Sequence, residues 1–224
     1  MTADELKKQA ASAAIDLVPN DVVLGVGTGS TVNHFIDMLP SIKSRVKALV
    51  SSSVVTTERL KSLGFVVDDS NQFSELDLYV DGADEFDPHF QLIKGGGGAM
   101  TGERIIASMA KRFICVADGS KSVKRLGKFP VAVEVLQPAR SAVARKLLAL
   151  GGDPVYREGF VSDWGNPILD VYNLKIVEAS ALEREINQMP GVVGHGLFAT
   201  CLPHVILEAN KKGAIAHERP SNWV

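Results

Sequence analysis

Apolar and polar positions run along the chain with two periods, and the switches between them mark the elements. Leu6, Ala10, Ala13, Ala14 and Leu17 recur at helical spacing behind Thr2 and Glu5, whose separation of three suits a capping box. A first helix to about Val18 is therefore predicted, stopped by Pro19-Asn20. Val22 to Ser30, VVLGVGTGS, reads as a short strand breaking into glycines, and a helical pattern resumes over Val32 to Leu39. Apolar runs at Val46 to Val50, Phe65 to Val67, Leu76 to Val80 and Arg112 to Ala117 predict further strands, with helical stretches around Thr57 to Leu63 and Glu103 to Lys111. Strands alternating with helices predict a Rossmann-like α/β fold with an open, mostly parallel sheet.

After Pro130 the rhythm changes. A strand at Val131 to Leu136, a helix at Ala139 to Leu150 closed by Gly151-Gly152, and a strand near Val155 to Val161 are followed by a turn at Asp163 to Asn166. A strand at Ile168 to Val171, a helix at Leu182 to Met189 and a strand at Val192 to Phe198 complete the order β-α-β-β-α-β, that of a ferredoxin-like unit. A last apolar run, His204 to Leu207, is placed to return to the first sheet. The expected layout is an α/β catalytic core of residues 1–129 plus 199–224 carrying an inserted ferredoxin-like α+β lid domain, residues 130–198. The polar tail from Lys211 to Val224 carries no element signal and is expected to be poorly ordered.

Composition narrows the function classes. With 46% hydrophobic and 22% charged residues, the 224-residue chain reads as a globular protein able to bury a large core. A formal charge of −2 gives no field to attract nucleic acid. The N-terminus alternates charged and small apolar residues, unlike a signal peptide, and no apolar run approaches the ~20 residues of a membrane span. Cys115 and Cys201 alone make no disulfide framework, so a cytoplasmic location and no membrane partner are expected.

Candidate chemistry concentrates in two places. GVGTGST, Gly25 to Thr31, lacks the glycine spacing of a dinucleotide loop and the Gly-Lys-Ser/Thr of a Walker loop. Backbone N–H groups at a helix start together with Thr28, Ser30 and Thr31 hydroxyls suit a small phosphate. The second place is LYVDGADEFDPHFQLIKGGGGAMTGE, Leu78 to Glu103. Asp81 and Asp84 are three apart where aspartyl-phosphate enzymes need two, and the acids miss the register of a calcium loop. No His or Cys cluster supports a transition metal, His34, His89, His195, His204 and His217 being scattered. Glu85 and Asp87-Pro88 read as a solvated acidic turn, whereas Asp81 follows a strand at the end where open sheets bind ligands. Lys94, the glycines Gly95 to Gly98 and Glu103 at the next helix start add a cation, a loop open to close approach and another carboxylate. Together these suit a phosphorylated, hydroxyl-rich molecule and proton transfer.

The combination resembles the ribose-5-phosphate isomerase A family. GVGTGST, VSSS (Val50 to Ser53), YVDGADE (Tyr79 to Glu85), IKGGGGA (Ile93 to Ala99), FICVADGSK (Phe113 to Lys121), LGKFPVAVEV (Leu126 to Val135), ARSAV (Ala139 to Val143) and PGVVGHGLF (Pro190 to Phe198) carry the likeness, in the family's order. The resemblance implies interconversion of ribose 5-phosphate and ribulose 5-phosphate through an enediolate, with no metal or organic cofactor, in homodimers or dimers of dimers. It implies substrate binding by Thr28, Gly29, Ser30 and Thr31, by Asp81, Gly82, Ala83 and Asp84, by Lys94, Gly95, Gly96 and Gly97, and by Lys121. Glu103 is then the base acting at C2 and C1, Lys94 the cation for the enediolate oxygen, Asp81 a group for ring opening or proton shuffling, and Asp84 a holder of hydroxyls. Gly102 and the tail after Leu207 depart from the family's usual pattern. Two other functions share parts of the pattern: a sugar-phosphate sensor without turnover, which would need a DNA-binding helix-turn-helix for which the chain before Val22 has no room, and an amino-sugar phosphate deaminase.

Overall fold

The computed structural model describes residues 1–221 and Trp223. Its first half runs α1 (Ala3–Asp16), β1 (Val22–Val26), α2 (Ser30–Met38), β2 (Val46–Ser51), α3 (Val54–Ser62), β3 (Leu78–Gly82), β4 (Glu85–Phe86), β5 (Leu92–Ile93), α4 (Met100–Met109) and β6 (Phe113–Asp118). Its second half runs β7 (Val131–Val135), α5 (Arg140–Ala149), β8 (Asp153–Tyr156), β9 (Ile168–Tyr172), α6 (Ala179–Asn187), β10 (Val192–His195), β11 (Leu197–Phe198), β12 (Val205–Asn210) and β13 (Gly213–Glu218). The elements fall into two compact units, one of Met1–Gly82, Ile105–Lys121 and Pro203–Val224, the other of Ala83–Arg104 and Ser122–Leu202.

The first unit is a six-stranded sheet in the order β13-β12-β6-β3-β1-β2, parallel except for β13, which runs against β12 at the edge. Strand alternation sorts its faces. Leu24, Val26, Leu78 and Val80 share one core with Val32, Phe35 and Ile36 of α2 and Ala10, Ala11 and Ala14 of α1. α1 begins with the reciprocal capping box that Thr2 and Glu5 predict, their hydrogen bonds measuring 2.7 and 3.2 Å. On the other face, a Cβ at Gly25 would lie 2.8 Å from Ile106 of α4, so this glycine admits the helix.

Two expectations change within this unit. Phe65 to Val67 is not a strand: Phe65 turns into the core, its N–H bonding Leu60 O, while Val66 points outward at 78% exposure and forms no ladder. The tail is not structureless, because Gly213–Glu218 forms β13 and pairs with all six residues of β12. Its outward side chains are exposed, which removed the apolar signal without removing the backbone partners.

The second unit contains a four-stranded antiparallel sheet, order β10-β7-β9-β8, with α5 and α6 in the predicted β-α-β-β-α-β sequence. Val131, Val133 and Val135 meet Val143 and Leu147 of α5, Val171 of β9 and Ile186 of α6 in its core. The run predicted as one strand from Val192 to Phe198 is broken at Gly196. β10 stays in the four-stranded sheet, whereas β11 joins a separate three-stranded sheet, β11-β5-β4. Gly196 N–H donates to Ala132 O and its carbonyl accepts Lys94 N–H, both at 2.8 Å, and a Cβ there would lie 2.0 Å from Lys94 O.

Candidate active site

In the first unit β1 has β2 on one side and β3 on the other, so the strand order reverses between β1 and β3. Open α/β sheets leave their ligand crevice at the carboxyl ends of such a pair. Asp81, fully buried at the end of β3, is held there by three donors. Its Oδ1 accepts the N–H of Thr28 at 3.0 Å and of Gly82 at 2.7 Å, and its Oδ2 accepts the Tyr79 hydroxyl at 2.5 Å. A Cβ at Gly27 would sit 1.9 Å from Asp81 Oδ1, so the β1 loop and this carboxylate interlock through the absence of a side chain.

The loop hydroxyls divide in direction. Thr28 Oγ1 donates to Ser53 Oγ at 2.6 Å and lies 3.2 Å from Ser52 Oγ and 3.1 Å from Thr56 Oγ1, which donates to Gly27 O at 2.8 Å. Ser30 and Thr31 open α2, whose N-cap is Gly29 with φ of 122° and no side-chain cap. Ser53 in turn caps α3, accepting Thr56 N–H at 3.1 Å. Two helix starts and a hydroxyl cluster thus belong to one sheet end. Lys121 ends a short turn after β6, the strand that pairs with β3. Ser52, Ser53 and Thr56 were not singled out as site residues by sequence, although the VSSS segment carried part of the family likeness.

The second unit brings together Lys94, Glu103, Asp84 and the glycine loop. Lys94 is 2% exposed, and its Nζ lies 3.4 Å from Glu103 Oε2, a pair in which both side chains are withdrawn from solvent. Glu103 stands in the first turn of α4. Lys94 Nζ is also 5.8 Å from the centre of the Phe198 ring, and the Arg104 guanidinium is 4.1 Å from it. Arg104 is itself fixed by Glu183 and by the carbonyls of His195 at 3.1 Å and Leu197 at 2.6 Å. Asp84 Oδ2 accepts Gly96 N–H at 2.9 Å, and the loop closes through Gly98 N–H to Gly95 O at 3.0 Å. Gly95 and Gly98 have φ of 94° and 79°, the left-handed region that side chains avoid.

The neighbouring acids are not a solvated turn. Glu85 is buried and its carboxylate accepts Gly127 N–H at 2.8 Å and Phe129 N–H at 2.5 Å, clipping a loop. Asp87 is buried as well, with Oδ1 accepting the N–H groups of His89 and Gln91, each at 2.9 Å. Burial pushes the Asp87 carboxyl up, and those two donors oppose the shift. Charge density alone did not separate acids that organise backbone from acids that face water. His195 is buried too: its Nδ1 accepts Leu197 N–H at 3.2 Å, and burial, helped by the Arg104 charge, lowers its pKa to about 3. Among the described residues no three His, Cys, Asp or Glu side chains gather as metal ligands would.

Fold and side chains define an α/β protein whose parallel sheet ends in a hydroxyl-rich loop and whose second unit holds a buried lysine–glutamate pair beside four glycines. A model of the family ribose 5-phosphate isomerase A (phosphoriboisomerase A) matches residues 48–213, and the chain belongs to that family. Among solved structures, ribose 5-phosphate isomerase A from Neisseria gonorrhoeae is 44% identical with a TM-score of 0.95, the match covering 98% of this chain and 99% of that one. The Methanocaldococcus jannaschii protein is 35% identical with a TM-score of 0.91, covering 97% and 100%. A D-ribose-5-phosphate isomerase in complex with phospho-erythronic acid is 33% identical with a TM-score of 0.93, covering 98% and 100%.

Proposed function

We propose that this protein interconverts D-ribose 5-phosphate and D-ribulose 5-phosphate by proton transfer through an enediolate. The observation that carries the reading is the buried Lys94–Glu103 pair, 3.4 Å apart, next to the Gly95–Gly98 loop. A C2 proton on an open-chain aldose is too weakly acidic for a base alone, so the carboxylate needs a cation at the developing oxyanion. Glu103 takes the C2 proton and returns it at C1, while Lys94 stabilises the enediolate oxygen. Asp81, oriented by Tyr79, Thr28 and Gly82, serves ring opening or the O1–O2 proton shuffle, and Asp84 holds sugar hydroxyls. Thr28, Gly29, Ser30, Thr31 and Lys121 take the phosphate and its neighbouring oxygens, with Gly82, Ala83 and Gly95 to Gly97 giving backbone contacts. The complex of a 33% identical isomerase with phospho-erythronic acid, a phosphorylated sugar acid, supports this substrate class.

The test is incubation of EDTA-treated protein with ribose 5-phosphate in D₂O, followed by proton NMR. Ribulose 5-phosphate carrying carbon-bound deuterium is expected, and absence of conversion overturns the assignment. Glu103→Gln should lose about 10²–10⁴-fold in turnover with the fold intact; turnover within a few fold of wild type removes Glu103 from the role. A homodimer or dimer of dimers and a cytoplasmic location are part of the same proposal, supported by the family membership. Light scattering on the eluting protein checks the first. Among the described residues, no helix is long and apolar enough to cross a membrane.

A further inference from the structure

Arg157 follows β8 on the connection to β9, and its guanidinium is shared between a carboxylate and the glycine loop. Nε donates to Asp170 Oδ2 at 2.8 Å and Nη2 to Asp170 Oδ1 at 2.5 Å. Nη2 also reaches Gly95 O at 3.2 Å, and Nη1 reaches Gly96 O at 3.3 Å. The Phe160 ring, from the same connection, lies 5.2 Å from the guanidinium carbon and fills the space beside Gly98, where a Cβ would come within 2.4 Å of it. An arginine that served only to pair with Asp170 would have no need of two carbonyls from a segment about 60 residues away.

The carbonyls matter because of what the opposite side of the same peptide does. A trans peptide is planar, so its oxygen and its N–H point in opposite directions. In the Gly95–Gly96 peptide the oxygen accepts both Gly98 N–H, within the loop, at 3.0 Å and Arg157 Nη2, from outside it, at 3.2 Å, and the N–H donates to Asp84 Oδ2 at 2.9 Å. Four consecutive glycines leave such a peptide free to rotate unless both ends are held. The chain of contacts is therefore Asp170, Arg157, the Gly95–Gly96 peptide and Asp84, and all four lie within the second unit.

We propose that Arg157, anchored by Asp170, is a positioning residue for the isomerisation: it locks the Gly95–Gly96 peptide and through it orients the Asp84 carboxylate toward sugar hydroxyls. The proposal rests on the isomerase reading above. Lysine is a poor substitute, since a single ammonium does not reproduce a fork that spans one carboxylate and two carbonyls.

The experiment measures kcat and KM for ribose 5-phosphate, with an unfolding curve for each protein, in wild type, Arg157→Gln, Arg157→Lys, Asp84→Asn and the Arg157→Gln/Asp84→Asn double variant. Arg157→Gln is expected to raise KM about 10- to 100-fold, the factor of a lost hydrogen bond to a charged group, with a smaller change in kcat. Arg157→Lys should recover part of that loss. In the Asp84→Asn background the further effect of Arg157→Gln should shrink to within about threefold, because residues acting through one another are not additive. A brace with no role in binding lowers the unfolding midpoint and the active fraction and leaves KM unchanged; that result, or full additivity with Asp84→Asn, overturns the proposal. If Arg157→Gln does not fold, Asp170→Asn keeps the guanidinium but frees it, and a KM within twofold of wild type then overturns the proposal. An inactive wild type removes the isomerase reading and this proposal with it, whereas an active wild type with an unaffected KM removes this proposal alone.

Discussion

Gly27 and Gly29 sit two residues apart in one loop, yet the structure requires glycine for different reasons at each. At Gly27 the obstacle is Asp81, whose Oδ1 occupies the place of a Cβ to within 1.9 Å. At Gly29 nothing lies within 4 Å of a Cβ, and the requirement is the backbone angle, φ of 122°. With ψ at 170° as well, Gly29→Ala therefore costs backbone strain of about 1–3 kcal/mol and leaves Asp81 in place. Gly27→Ala forces the Asp81 carboxylate off its three donors, an overpacking cost of about 1–3 kcal/mol, and disturbs the group assigned to ring opening. Urea unfolding and initial rates on the two variants separate these effects. Both should lose stability, and Gly29→Ala, in the loop assigned to the phosphate, should also raise KM, but only Gly27→Ala should lose kcat by tenfold or more, on the scale of a misplaced charged hydrogen-bonding group; wild-type kcat in Gly27→Ala would show that Asp81 moves without consequence.

Elements were legible where the side chains reported their own surroundings. The period-two valines of β7 and the apolar run of β1 were read directly, because each strand buries what it shows. The candidate site was legible for a related reason: a lysine, four glycines and carboxylates at strand and helix ends have no use in a core. β13 was missed because an edge strand with outward, exposed side chains needs only backbone partners. The break at Gly196, the buried role of Glu85 and the Arg157 fork depend on backbone atoms supplied from elsewhere in the chain, whereas Asp87 binds N–H groups two and four residues on; hydrophobic periodicity encodes neither. β10 carries a consequence of that kind. His195 is neutral in the fold, with its pKa lowered from 6.5 to about 3, so below pH 6.5 the unfolded chain binds a proton that the folded one refuses. The His195 contribution is complete above pH 6.5 and is lost progressively as the pH falls toward 3, at up to about 1.4 kcal/mol per pH unit. His195→Asn, whose amide oxygen is able to accept Leu197 N–H in place of Nδ1, should lack this component. Urea midpoints between pH 7.5 and 4.5 should thus fall more steeply for wild type than for the variant, and parallel curves would contradict the assignment of a neutral buried histidine.

At the scale of the whole molecule, neither unit is a continuous stretch of chain. The backbone passes from one to the other at 82/83, 104/105, 121/122 and 202/203. β12 and β13, at residues 205–218, complete the sheet that contains β6 at residues 113–118, while β11 at 197–198 pairs with β5 at 92–93. The third sheet of one unit and the edge of the central sheet of the other therefore wait for the same C-terminal region. α4 adds a second tie, because the passage at 104/105 falls inside this one helix, Met100–Met109. Unravelling either unit removes one end of that helix, and with it the turn that presents Glu103 or the Ile106 side chain over Gly25. Contiguous units joined by one linker open separately; units interleaved in this way should open together. Native-state hydrogen exchange tests this at the level of single strands. The slowest amides of β6, in the first unit, and of β7, in the second, should exchange with the same opening free energy and the same dependence on denaturant. Two distinct values would mean that the second unit unfolds while the parallel sheet stays closed, and that the shared helix is too weak to couple them.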